Sequence, residues 1–224
     1  MDKTTFTRKQ IVDAAIELAE SSDWEAVRLH DVAIKLGLSL DDIREEFSEK
    51  DELIDAWFDR ADSAMLQDAA LPVLAKLSRK ERMHRAMMAW LDALAGHRRV
   101  TRQMILSKLE PGHVHIQFPG LMRVSRTVQW MREAAGYDAS FPRRAVEEVT
   151  HTSIYLATFA YWMSDESPQS ERTRRFLDRQ LSRAGIVFTC CGGVTEPKES
   201  VPARQGPSHL SPDLEEDRPI QGIS

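Results

Sequence analysis

Apolar residues recur every three or four positions along almost the whole chain, and alternating runs of apolar and polar residues are missing. The stretch after residue 7 is typical, with Ile11, Ala14, Ala15, Leu18 and Ala19 at this spacing. A period near 3.6 residues places such side chains on one face of a helix, whereas a half-buried strand needs a period of two. The pattern therefore predicts an all-α fold.

Short helices follow one another closely in the first sixty residues. A second helix contains Val32 and Leu36, and Gly37 stands where a helix C-terminus favours a residue that tolerates positive φ. Ser39 is a suitable N-cap for a short third helix. A fourth helix begins near residue 48 and runs to about residue 70, before the break at Pro72. The pattern therefore predicts three short helices followed by a longer fourth one, with a turn at Gly37 between the second and the third.

Longer helices are predicted beyond residue 72, at about 80–94, 98–108, 121–135, 141–163 and 170–184, with an irregular connector at 111–120. The helix at 141–163 is apolar around most of its girth, so it needs partners on several sides. It is therefore central to the domain, or forms a subunit interface, or both. One apolar stripe consists of Val146, Val149, Ser153, Leu156, Ala160 and Met163, and a second of Ile154, Ala157, Tyr161 and Trp162.

Cysteine usage, leader signals and the C-terminal composition restrict the class of protein. The two cysteines, Cys190 and Cys191, are adjacent and are expected to be reduced thiols, their role left open. No stretch has about 18 uncharged apolar residues, and the N-terminus lacks an apolar leader, which favours a cytoplasmic protein. Half of the ten prolines lie beyond residue 196, so residues 188–224 are predicted to be a disordered tail.

Residues 8–60 resemble the N-terminal domain of the tetracycline-repressor family of transcriptional regulators. Three runs carry the resemblance: IVDAA at 11–15, DVAIKLGLS at 31–39 and FSEKDEL at 47–53. The resemblance implies a homodimer whose third helices lie in the major groove of duplex DNA at two half-sites. It also implies release of the DNA when a small molecule fills the C-terminal domain. The implied DNA-binding residues are Arg28, Arg44 and Lys50 at phosphates, with Ser39, Leu40, Asp41 and Asp42 at the helix that approaches the bases.

The charge of this N-terminal region departs from the family pattern. Asp41, Asp42, Glu45 and Glu46 place four carboxylates on about two turns of the third helix. Residues 1–60 contain eight lysines or arginines and sixteen acidic residues, a net charge near −8. Because cations that neutralise phosphates supply most non-specific affinity for DNA, this balance counts against tight binding.

Residues 119–184 resemble a second family, the accessory proteins of coenzyme Q biosynthesis that share the tetracycline-repressor fold. The most specific matching run is SDESP at 164–168, before a helix that carries Phe176 and Leu177. The family's tryptophan before the Ala-Gly pair is absent, because residues 132–134 read REA. This resemblance implies binding of an isoprenoid lipid rather than DNA. The arginines of the last helix would then rest on anionic lipid head groups in a peripheral membrane contact.

Methionine and aromatic residues in the C-terminal half are candidates for the lining of an apolar ligand pocket, since methionine suits adaptable cavities. Ordinary core packing is the alternative for at least half of them, and for His151 in particular. The candidate pocket residues are Met87, Trp90, Leu91, Val128, Met131, His151, Tyr155, Phe159 and Trp162.

Catalytic and cofactor motifs are missing from the sequence, so we expect neither enzyme activity nor a cofactor. His113 and His115 alternate but have no third ligand nearby, so we expect surface histidines and no metal site.

The predicted domains are a helix-turn-helix unit at 1–50, a ligand-binding and dimer-forming unit at 51–187, and the tail. Two hypotheses stay open: a ligand-responsive DNA-binding regulator, and a lipid-binding accessory protein of ubiquinone biosynthesis.

Overall fold

The chain is all-α, as predicted. The computed structural model describes residues 8–108 and 114–192, and these two ranges contain nine α-helices and no strand. None of the helices in this part of the chain has the length and apolarity needed to cross a membrane. The helices are α1 (Arg8–Ser21), α2 (Leu29–Leu36), α3 (Leu40–Glu46), α4 (Lys50–Ala69), α5 (Arg79–Leu94), α6 (Arg98–Lys108), α7 (Val114–Ala135), α8 (Arg143–Met163) and α9 (Glu171–Gly192).

Helices α1 to α3 form the predicted helix-turn-helix unit, and the turn between α2 and α3 has the predicted geometry. Gly37 adopts a left-handed conformation with φ of 68°, and its N–H donates to the carbonyls of Ala33 and Ile34. Helix α2 packs against α1 and α3, and α1 packs against α4, where Leu53 and Ile54 are fully buried. This packing fixes α3 by its inner face and leaves its other side to solvent.

Helix α4 joins this unit to the C-terminal half, because it packs against α1 and also against α5 and α7. The predicted boundary between residues 50 and 51 falls in its first turn, and this boundary stays a prediction. Aromatic side chains from α4, α5 and α8 form the centre of the C-terminal half. Phe58 stacks on Trp90 with ring centroids 5.7 Å apart, and Phe159 contacts Trp90 edge-to-face at 5.6 Å.

Helix α6 connects the helix-turn-helix unit to the segment between α8 and α9. Arg99 donates to the carbonyls of Ala19 and Ser22 at the end of α1, over 3.1 and 3.2 Å. Its neighbour Arg98 instead donates to the carbonyl of Asp165 and to Ser170 Oγ, between α8 and α9. Consecutive arginines therefore connect α6 to two different parts of the fold.

Two predicted helix bounds are wrong. The connector expected at 111–120 is helical from Val114, because Pro119 is only the sixth residue of α7 and removes a single main-chain hydrogen bond there. The last helix, expected to end near Ala184, continues through Gly185 to Gly192. A glycine inside a helix costs only about 1 kcal/mol, so it does not by itself end one. The predicted tail beyond Gly192 lies outside the described residues.

Candidate functional site

Ser39 and Asp42 define the start of α3, because the side chain of each accepts a hydrogen bond from the backbone amide of the other. The amide of Asp42 donates to Ser39 Oγ over 3.1 Å, while the amide of Ser39 donates to Asp42 Oδ2 over 3.0 Å. This reciprocal arrangement is a capping box, which satisfies two amides that the helix itself leaves unbonded. The two side chains were predicted to lie at the DNA surface, and the structure uses both to begin the helix.

The outer face of α3 presents an arginine beside a carboxylate. Ile43 and Phe47 are buried and anchor the helix, whereas Leu40 is 51% exposed and Asp41 and Arg44 are both exposed. Arg44 donates to Asp41 Oδ1 from Nη2 over 2.8 Å and from Nε over 3.1 Å. An exposed ion pair of this kind is worth about 0.2–1 kcal/mol, so a phosphate can compete for the guanidinium.

Arg28 forms a similar pair at the start of α2. Its Nε and Nη2 donate to the two carboxylate oxygens of Asp31 over 2.9 and 3.0 Å. The hydrogen bond from the Arg28 guanidinium lowers the pKa of Asp31. Arg28 and Arg44 thus both lie at the predicted DNA surface, each neutralised by a carboxylate three residues away.

Lys50 is held by the loop between α1 and α2. Its Nζ donates to the carbonyl oxygens of Trp24 and Glu25, over 2.6 and 3.1 Å, and lies 5.1 Å from the centre of the Trp24 ring. Burial lowers the pKa of this ammonium group. A phosphate contact by Lys50 would require these bonds to break, so in this conformation the side chain joins α4 to the loop.

Charge is distributed unevenly between residues 1–60 and residues 61–192. The sequence analysis considered the net charge of the first sixty residues only and missed this difference. Residues 1–60 carry a net charge near −8, whereas residues 61–192 contain nineteen basic and thirteen acidic side chains, a net charge near +6. On α9 the exposed side chains of Arg172, Arg175, Arg179 and Arg183 share one face. The C-terminal half therefore attracts anions more strongly than the helix-turn-helix unit does.

The predicted pocket residues all lie in the interior of the C-terminal half, on α5, α7 and α8. All nine are buried, with exposures of 8% or less. Their rings are in direct contact: Trp90 meets Tyr155 edge-to-face at 5.4 Å, and Phe159 stacks on Trp162 at 5.9 Å. Phe58 belongs to the same cluster but was missed, because it lies on α4 among residues assigned to the fourth helix. The ligand-lining role of these residues stays a prediction.

A buried polar network crosses this interior and was also missed. Asp62 on α4 accepts from Trp90 Nε1 over 2.7 Å and from Thr127 Oγ1 over 3.0 Å. Arg123 on α7 lies 3.4 Å from Asp62 Oδ2 and donates to Asp59 over 2.8 Å. An aspartate at a buried position of α4 was the sequence signal that could have revealed the network.

His151 is buried near an ion pair between α7 and α8. Its ring meets Tyr137 edge-to-face at 4.6 Å. Burial, together with the positive charge of Arg132, lowers the pKa of His151 to about 4. Arg132 in turn lies 3.5 Å from the buried carboxylate of Glu147. The imidazole is therefore neutral at neutral pH.

The SDESP run at 164–168 forms the corner between α8 and α9. Asp165 accepts from the amides of Ser167 and Thr173 over 2.9 Å each, and from Thr173 Oγ1 over 2.6 Å. Burial alone would raise the pKa of Asp165, but these hydrogen bonds outweigh it and hold the pKa well below its usual range. The most specific element of the second resemblance thus has a structural role in capping α9.

The first apolar stripe predicted on α8 faces outward. Val149 is 68% exposed, and Val146 and Leu156 are exposed with it, whereas Tyr155 and Trp162 of the same helix are buried. The two faces of α8 therefore differ in role, and only the inner face belongs to the core of this chain.

Within the described ranges, no three side chains of His, Cys, Asp or Glu come together as a metal site. The prediction for His113 falls outside the described residues, and so do the side chains of His115, Cys190 and Cys191.

Comparison with known proteins gives two kinds of match. A sequence model of the COQ9 family matches residues 148–186, which span most of α8, the Asp165 corner and most of α9. Among solved structures, the TetR transcriptional regulator from Nitrosomonas europaea ATCC 19718 is 57% identical, with a TM-score of 0.72, over 80% of this chain and 98% of that chain. A TetR transcriptional regulator from Rhodococcus sp. RHA1 is 19% identical, with a TM-score of 0.56, over 78% of this chain and 95% of that chain, which shows the fold alone. No protein of curated function matches the sequence.

Proposed function

Because this chain belongs to the TetR family of transcriptional regulators, we propose that it binds operator DNA as a homodimer in the cytoplasm and releases it when an apolar ligand enters the C-terminal half. The observation that carries the proposal is the geometry of α3, which is capped by Ser39, anchored by Ile43 and Phe47, and open to solvent on its outer face. The relative from Nitrosomonas europaea, which is named a transcriptional regulator, supports the same assignment.

The ion pairs of the surface determine how such binding works. Arg44 and Arg28 must each exchange a carboxylate for a phosphate when DNA arrives. Each exchange recovers little free energy, since one anion merely replaces another beside the same guanidinium. The acidic side chains nearby also repel the duplex. We therefore expect weak non-specific affinity that falls steeply with salt, and specificity that depends on a few base contacts.

The outward stripe of α8 provides the surface for the homodimer. Val146, Val149 and Leu156 expose apolar area on one face, and the smaller Ser153 and Ala160 lie between them on the same face. A two-fold axis at this face lets each stripe pack against its copy, which buries it from water. The resulting pair of α3 helices would meet half-sites about one helical turn apart.

The test is fluorescence anisotropy of the dimer against fragmented genomic duplex, from low to physiological salt. The informative variant is Asp41→Asn, which breaks the ion pair between Asp41 and Arg44 and removes one negative charge from α3. We expect DNA affinity to rise about threefold to tenfold, equivalent to about 0.7–1.4 kcal/mol. Glu171→Gln is the matched control, because Glu171 forms an equally exposed pair with Arg175 on α9.

Arg44→Ala should lower the affinity and make the salt dependence shallower, by about one unit for each phosphate that the arginine neutralises. The regulator proposal fails if the folded dimer shows no binding at low salt, or if Asp41→Asn and Glu171→Gln have equal effects.

A second candidate is lipid binding in quinone metabolism, with the arginine face of α9 at a membrane surface. The COQ9 match on residues 148–186 and the negative charge of the helix-turn-helix unit favour it. Organic extraction of the purified protein, followed by mass spectrometry, tests this candidate. A stoichiometric isoprenoid lipid supports it, and a lipid-free extract from protein that binds DNA contradicts it.

A further inference from the structure

The buried face of α8 contains side chains that lack hydrogen-bond partners. Thr158 is 1% exposed and Trp162 is 0% exposed, and the two lie one turn apart on the same face of the helix. Neither Thr158 Oγ1 nor Trp162 Nε1 has a partner among the described residues. Buried polar atoms in folded proteins are nearly always bonded, so two neighbouring exceptions call for an explanation.

Arg98 of α6 adds a third such atom beside Trp162. Its guanidinium carbon lies 4.5 Å from the centre of the Trp162 ring. The two terminal nitrogens donate to the Asp165 carbonyl and to Ser170 Oγ, which leaves the buried Nε without a partner in the described ranges. The carboxylate of Asp165 is turned towards Ser167 and Thr173 instead.

Two other buried indoles, those of Trp57 and Trp90, are bonded, which makes Trp162 informative. Trp57 Nε1 donates to Thr101 Oγ1 over 3.0 Å, and Trp90 Nε1 donates to Asp62 over 2.7 Å. The fold therefore supplies acceptors to these two indoles, so the lack of one at Trp162 is a local feature of the place where α6 meets α8.

The chemistry of the three atoms determines which kind of hydrogen-bond partner they require. An indole N–H and a guanidinium N–H can only donate, and a threonine hydroxyl can donate as well. They therefore require an acceptor, and the positive charge of Arg98 favours an anionic one. The stacked rings of Phe159 and Trp162 provide apolar surface beside them.

We propose that an apolar carboxylic acid binds here, with its carboxylate accepting from Trp162 Nε1, Arg98 Nε and Thr158 Oγ1 and its hydrocarbon body against the aromatic cluster. This inference rests on the proposed function, since it names the class of ligand for the sensor half of the regulator.

The test is a titration of ¹⁵N-labelled full-length protein with sodium decanoate below its micellar concentration, followed through the tryptophan indole N–H signals. The Trp162 signal is assigned by its loss in Trp162→Phe. We expect it to shift strongly, while the signal of Trp57, which already has an acceptor in Thr101, shifts little. Decanol serves as the neutral matched probe and should bind at least tenfold more weakly.

Two variants separate binding from folding. Thr158→Val is nearly isosteric and should weaken decanoate binding about fivefold without changing the dispersion of the spectrum. Arg98→Lys keeps the charge but loses the Nε donor, and should weaken decanoate more than decanol.

Equal binding of decanol and decanoate overturns the carboxylate class. No shift with either probe overturns the site, because a buried water would then satisfy the three atoms. The indole titration needs no DNA, so a failure of DNA binding in the anisotropy experiment is distinguishable from a failure of this proposal.

Discussion

Lowering the pH from 7 to 4.5 should destabilise the folded chain through His151, whose imidazole is buried between α7 and α8. In the unfolded chain this imidazole takes up a proton near pH 6.5. In the folded chain its pKa is about 4, because burial and the charge of Arg132 both disfavour the imidazolium. Between these two values the unfolded state binds more protons than the folded state, so the stability falls as the pH falls.

The magnitude follows from the width of this window. Each pH unit between about 6.5 and 4 removes up to about 1.4 kcal/mol from the free energy of unfolding, so the whole window removes about 3 kcal/mol. Above pH 6.5 the contribution is fully present. For a domain of this size, with a urea dependence of about 2–3 kcal/mol per molar, the unfolding midpoint should fall by about 1 M or more.

The assay is urea unfolding followed by circular dichroism at half-unit steps from pH 7.5 to 4.5, for the wild type and for His151→Gln. The variant cannot take up the proton, so its stability should change less steeply with pH, by about 1.4 kcal/mol per unit. A loss of packing in the variant lowers its stability equally at every pH, so it does not affect a comparison of how the free energy of unfolding changes with pH. His30→Gln, which changes an exposed histidine on α2, is the matched control and should keep the wild-type slope.

Equal slopes for the wild type and His151→Gln would refute the reasoning. That result would mean that the imidazole is hydrated or paired in a way that stabilises its charged form in the folded state.

Three further substitutions test other parts of the structure. Gly37→Ala should lower the free energy of unfolding by about 1–2 kcal/mol, because Gly37 has a positive φ that alanine disfavours. An added Cβ would meet no neighbouring atom at Gly37 or at Gly96, so Gly96→Ala, where φ is ordinary, should leave the stability unchanged. Asp62→Ala should cost about 2–4 kcal/mol, since it leaves the buried Trp90 indole and the Thr127 hydroxyl without their acceptor. Arg123 keeps its bond to Asp59, and a loss below about 1 kcal/mol would contradict the network. Leu156→Glu should abolish the proposed homodimer in light scattering, while Val73→Glu, at a similarly exposed site elsewhere, should not.

Local patterns in the sequence predicted the parts of the fold that depend on local interactions. The spacing of apolar residues located the helices, and the residue types at Gly37 and Ser39 identified the turn of the helix-turn-helix unit. The pairs of Arg28 with Asp31 and of Arg44 with Asp41 were also within reach, because residues three apart on a helix are neighbours.

Features that depend on distant segments could not be predicted in the same way. The acceptors of Lys50 are main-chain carbonyls more than twenty residues away, so residue types give no sign of them. Two apolar stripes on α8 were predicted, but neither coincides with the buried face. Ala157 and Tyr161 of the second stripe are exposed, while the polar His151 lies inside, because packing against distant helices determines which face is buried. The DNA-binding and ligand-lining roles of the predicted residues stay predictions, because they depend on molecules outside the chain.

Arg99 and Gln103 of α6 bind the helix-turn-helix unit of this regulator to its C-terminal half, which limits how far the two parts can be exchanged. Arg99 binds carbonyls of α1, and Gln103 of the same helix accepts from the amide of Trp24 over 3.0 Å. A fragment cut after residue 50 would therefore leave the α1 end and the following loop without these partners. Chimeras that exchange helix-turn-helix units between relatives should transfer a matching α6 surface along with the first fifty residues.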